Sequence, residues 1–86
     1  MPISGKILEL LNQKVRASPL MLAQDLREMK LLTAKESTAA KLVRNALVVL
    51  LELGLVNVEG RGVYSLTSLG KKFYETEVKK TLTKSN

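Results

Sequence analysis

The chain contains no cysteine, no histidine and no tryptophan. Without cysteine it has neither a disulfide framework nor a thiolate metal site, and without histidine it lacks the usual general base and a common zinc ligand. Its aromatic side chains are Tyr64, Phe73 and Tyr74, too few for the stacking platform on which single-stranded nucleic acids are held. No apolar run reaches about 18 residues and no signal-peptide pattern is present. A soluble, unexported protein of the cytoplasm, with no membrane partner, is therefore expected. Acidic residues are in the minority, 8 Asp and Glu against 14 Lys and Arg, and the net charge of +6 favours a polyanionic partner. The 86 residues suit one small domain over 1–86, which buries roughly 60% of its unfolded surface.

What the sequence does contain is helical periodicity interrupted once by a period of two. Ile3, Ile7, Leu10 and Leu11 predict a first helix from Ser4 to Lys14, with Ile3 at its entrance. Ser18-Pro19 marks the start of a second, because the serine oxygen can accept from an orphan amide while proline has no N–H to lose. That helix runs to Met29, with Leu22, Ala23, Leu26 and Met29 on one stripe. Thr33-Ala34-Lys35-Glu36 has capping-box spacing and predicts the start of a third helix, which continues without Gly or Pro to Leu53. Gly54 then supplies a left-handed cap. Leu55, Val56 and Val58, then Val63, Tyr64 and Leu66, read as two strands of a small β-hairpin around the tip Glu59-Gly60-Arg61-Gly62. Thr67 or Ser68 caps a last helix carrying Leu69, Phe73 and Val78, and residues 83–86 read as a frayed tail. The expected class is mainly α with a small β-hairpin.

Helix three, at 100° per residue, divides into two unequal arcs. A polar arc roughly 120° wide holds Ser37, Thr38, Lys41, Arg44 and Asn45, followed by Glu52, with Val48 as its apolar intruder. Lys and Arg neutralise phosphates, Asn offers a bidentate amide for an adenine edge, and small hydroxyls allow close approach to a major groove. The bland alternative is a solvated face. The apolar arc, roughly 200° wide, exceeds what one small core covers. Val43, Leu47 and Leu50 are the core candidates. Leu42, Val49 and Leu53 then lie toward an edge, covered by a second subunit or by neighbouring helices of a monomer; a homodimer is the expectation taken forward.

The order helix, helix, turn, long helix, hairpin, helix resembles the winged helix-turn-helix family over residues 3–78. LVRNALVVLLELGLV looks like the family's recognition helix running into the first wing strand, VYSLTSLGKKF like its second wing strand and the following turn, and ASPLMLAQDL like the start of the preceding helix. Small archaeal or bacterial MarR-like and ArsR-like transcription factors are similar. The resemblance implies a nucleoid-associated protein that binds double-stranded DNA, with helix three in the major groove and the hairpin tip on the backbone or minor groove. Carried over by position, recognition falls on Ser37, Thr38, Lys41, Arg44 and Asn45, and the wing contact on Arg61, although Glu59 weakens the field there. The segment from Met29 to Ser37 is longer than the family's turn, and the wing is short. Sensors of this family use Cys, His or an aromatic-lined pocket, so no metal, cofactor or small-molecule effector is expected.

Lys71 and Lys72 open the last helix and are candidate contacts for flanking phosphates. Lys79 and Lys80 instead suit the helix C-terminus electrostatically. Two other functions compete with DNA binding. One is a winged-helix module docking on protein, or on structured RNA, in a larger assembly, which the wide apolar arc favours. The other is an enzyme, which Asp25 and Glu28 support poorly, having no histidine, cysteine or glycine-rich phosphate loop beside them.

Overall fold

Helix α1, Ile3–Lys14, buries Ile7, Leu8, Leu10 and Leu11, the apolar positions of its 3.6-residue period. The computed structural model describes residues 3–80, so the expected tail at 83–86 lies outside the described residues. α1 ends on Val15, whose N–H donates to the Leu11 carbonyl at 2.9 Å and whose φ is 74°. Strand β1, Arg16–Ala17, follows at once. Helix α2 is Pro19–Glu28, and the Ser18 hydroxyl accepts from the Met21 amide at 3.2 Å, the cap that Ser18-Pro19 predicts. Leu22, Ala23 and Leu26 are buried, but Met29 is the C-terminal cap and exposed rather than part of the stripe.

The start of the third helix differs from the expectation. Lys30 is left-handed, with φ 64°, and the amides of Leu31 and Leu32 both donate to the Leu26 carbonyl, at 2.9 and 3.3 Å. This closing turn consumes the chain through Leu32, so Thr33 falls in the crossing segment and α3 is Glu36–Glu52, 17 residues and shorter than expected. The capping box does not form: Lys35 is the N-cap with no side-chain hydrogen bond, and the Glu36 carboxylate accepts from Gln24 Nε2 at 3.3 Å. At the other end Leu53 caps the helix and Gly54 turns the chain at φ 77°, as its glycine predicts.

Strands β2, Val56–Glu59, and β3, Val63–Leu66, pair antiparallel with Val56 opposite Leu66 and Glu59 opposite Val63. β1 joins the free side of β3, Arg16 opposite Ser65 and Ala17 opposite Tyr64. The expected hairpin is thus part of a three-stranded antiparallel sheet of order β1-β3-β2. Thr67 caps α4, Ser68–Phe73, accepting from the Gly70 amide at 2.9 Å and donating to the Gly54 carbonyl at 2.6 Å.

α4 runs into a π-helical turn, Tyr74–Val78. Val78 is buried as expected, whereas Leu69 and Phe73 are exposed and the inward residues are Gly70 and Tyr74. The cause is Gly70, which lies so close to the backbone of Leu55 that a Cβ would collide with its carbonyl. Only glycine permits that approach, and it rotates the helix away from the face that apolar side chains alone suggest. Burial, reinforced by the Glu9 carboxylate, pushes the Tyr74 hydroxyl above the ordinary tyrosine range.

α2 packs on α3, and α1 spans α3, β3 and the π turn. Ile7, Leu8, Leu11, Leu22, Leu26, Val43 and Leu47 form the fully buried centre, each contributing roughly 1.5–3 kcal/mol of apolar transfer. Val43, Leu47 and Leu50 are core residues as expected, joined by Ala39 and Ala40. The molecule is mainly helical with a small antiparallel sheet. Among the described residues no helix is long and apolar enough to cross a membrane.

Candidate nucleic-acid interface

The core of α2 and α1 takes one side of α3, and that leaves its opposite side to solvent. Ser37, Thr38, Lys41, Arg44 and Asn45 are all exposed there, together with Val48 and Glu52. None of the five is tucked beneath another element. Ser37, Lys41 and Arg44 come together in a groove between α3 and the start of α2, lined also by Leu20, Glu36 and Ala40. Thr38 and Asn45 lie outside that groove on the same exposed helix.

Ion pairs among the described residues include Lys6–Glu9 at 2.7 Å and Lys14–Asp25 at 3.1 Å, both involving α1, Arg16–Glu59 at 3.5 Å on the sheet, and Lys79–Glu75 at 3.6 Å along the last helical segment. Such surface pairs contribute about 0–1 kcal/mol each to stability. Their effect on the field matters more. They lie away from α3, and among the described residues Arg27, Lys30, Lys35, Lys41, Arg44, Arg61, Lys71 and Lys72 take part in none of them. Lys14 also occupies Asp25, the carboxylate that sequence alone sets beside Glu28.

Arg61 stands at the hairpin tip, in a turn closed by the Gly62 amide donating to the Glu59 carbonyl at 3.1 Å. Its own φ is 75° and that of Gly62 is 70°. The left-handed residues are therefore Arg61 and Gly62, whereas Gly60 has a negative φ and open space around it. Glu59 pairs with Arg16, and among the described residues Arg61 takes part in no such ion pair.

Lys71 borders a separate depression with Asn12, Arg16 and Ser65, and no lining residue is shared with the α2–α3 groove. Lys72 is exposed on α4 and lines neither. Sequence reasoning missed Arg16 and Leu20. Arg16 belongs to a two-residue strand too short to show alternation, and Leu20 reads as one more apolar residue at a helix start, although it is 47% exposed. Leu42 and Val49 of α3 and Leu53, its C-terminal cap, are exposed and fall within about 40° of one another around the axis, beside the polar face and apart from the core. No protein-family model matches the sequence, and neither a curated protein nor a solved structure matches it.

Proposed function

We propose that the chain is a winged helix-turn-helix module that binds double-stranded DNA, acting as a transcription regulator or small chromosome-associated protein. The observation that carries this reading is the outward face of α3, where Ser37, Thr38, Lys41, Arg44 and Asn45 are exposed and its two cations form no ion pair among the described residues. Lys41 and Arg44 neutralise phosphates or grip a guanine edge, and Asn45 meets an adenine. The order of elements α1, β1, α2, α3, β2, β3, a helix pair followed by a hairpin within a sheet of order β1-β3-β2, supports the same reading. Arg61 at that tip reaches the backbone or a narrow minor groove. Lys71 and Lys72 serve flanking phosphates.

The test is a salt titration on random and selected duplexes. With about five phosphates contacted per subunit, log affinity falls against log salt with a slope of about −4 to −5 per subunit. A flat response rejects the reading. Arg44→Ala should weaken binding and relax base preference, while Lys71→Ala should weaken all sequences alike.

A second reading, docking on protein, draws on the exposed Val48, Val49 and Leu51 of α3 and on Leu53 at its C-terminal cap. It predicts duplex affinity no greater than that of any protein of charge +6, with loss of a protein partner on substitution of Val49 or Leu53.

A further inference from the structure

The groove between α2 and α3 has a chemistry that phosphate contacts alone do not require. Its floor is Ala40, 3% exposed, and one wall is Leu20, the second residue of α2, 47% exposed. Around this apolar strip stand the Ser37 hydroxyl, the Lys41 ammonium, the Arg44 guanidinium and the Glu36 carboxylate. A groove built only for backbone phosphates gains nothing from an exposed leucine, and the Glu36 carboxylate repels a phosphate placed beside it. Both features suit a base edge. Carboxylates accept from the exocyclic amines of adenine and cytosine, and guanidinium groups donate to guanine. The base-pair edges of a major groove offer a leucine one apolar group, the C5-methyl of thymine.

We propose that Leu20 and Ala40 receive a thymine methyl, so that Leu20 is a specificity-determining residue in a groove whose cations hold the surrounding duplex. The proposal rests on the DNA-binding reading and deepens it, by naming the feature of the duplex that this groove selects. Ser37 and Ala40, both small, let the base edge approach the helix. Lys41 and Arg44 on the groove's rim reach the neighbouring phosphate and purine edge. Glu36, already accepting from Gln24 at 3.3 Å, keeps an acceptor at the groove's end, where an exocyclic amine of the adjoining base pair meets it.

The experiment uses the full chain and a duplex selected from a random pool by its binding, with deoxyuridine replacing each thymidine in turn. That exchange deletes one methyl and leaves pairing and charge unchanged. Affinity is measured by fluorescence anisotropy at fixed and at varied salt, for the wild type and for Leu20→Ala. Leu20 is exposed, and a thermal melt of the variant checks that it retains the fold. The expected result is a loss of about four-fold for each contacted methyl removed, at one or two positions, and no such loss in Leu20→Ala. Salt-dependent duplex binding that is indifferent to deoxyuridine overturns the thymine assignment and leaves the DNA-binding reading standing. A penalty that persists in Leu20→Ala also overturns it, since the methyl is then read elsewhere. Failure to bind any duplex in a salt-dependent way overturns both.

Discussion

Val15 occupies the left-handed position that ends α1, with φ 74°, and its side chain is 66% exposed. A β-branched residue in that conformation costs roughly 1–2 kcal/mol, and an exposed valine recovers little of it by packing. Val15→Gly should therefore raise stability by about 1 kcal/mol, seen as a midpoint about 5 °C higher in a thermal melt. An unchanged or lower midpoint would remove the claim of strain. Arg61 has the same backbone problem at φ 75°, but its side chain lies where the duplex is proposed to run. Arg61→Gly should raise the midpoint while weakening duplex binding a few-fold. A turn residue without a role in binding would move the first quantity and leave the second unchanged. Gly54 shows how such positions are legible when the residue agrees with the backbone, because a glycine after an apolar helix predicts its φ of 77°. Val15 and Lys30 carry no such mark. Their conformations follow from where β1 and α3 must go next, which local propensity does not encode.

At the scale of elements, what could be read depended on whether side chains alone decide the outcome. The alternation of Val56 with Val58 and of Tyr64 with Leu66, and the cap at Ser18, depend on local chemistry, and strands and helix appear where those residues place them. β1 does not, because two residues pair with β3 only after the fold has brought them together. The outward face of the last helix departs from its hydrophobic periodicity for a related reason: Gly70 packs by having no side chain, and periodicity gives weight only to side chains. The start of α3 was misread because the closing turn of α2, with two amides on the Leu26 carbonyl, displaces the helix past Thr33. This left Lys35 as an N-cap with extended backbone, φ −64° and ψ 163°, and nothing donated to its side chain. A cation at that end also opposes the helix dipole. Lys35→Ser should supply the missing acceptor and raise stability by about 1 kcal/mol in denaturant unfolding. If stability does not change, the amides at this end are satisfied without a side chain and the assigned N-cap is wrong. The polar arc of α3 survived the displacement, since its exposure is set by which face meets α1 and α2 and not by where the helix begins.

Over the whole molecule, α3 presents two adjacent surfaces with opposite responses to salt. Its cationic face, in a chain of charge +6, gains affinity for a polyanion at low ionic strength and loses it as counterions compete. The stripe of Leu42, Val49 and Leu53, with Leu53 60% exposed, carries no charge and is the surface proposed for a second copy of the chain. Two subunits of like charge repel one another until salt screens them over about 10 Å at 0.1 M. Self-association through the stripe should accordingly strengthen between low and moderate salt, over the range in which the proposed duplex binding weakens. Sedimentation of the free protein at several concentrations and two salt levels measures the first trend. Leu53→Asp should sediment as a monomer throughout, because the substitution places a charge in the contact and leaves the core centred on Val43 and Leu47 untouched. A wild-type chain that remains monomeric at every concentration and salt level would exclude the homodimer. The polar face of α3 would then have to hold the duplex as a single subunit, with the salt slope of one subunit and no two-fold symmetry in the selected site.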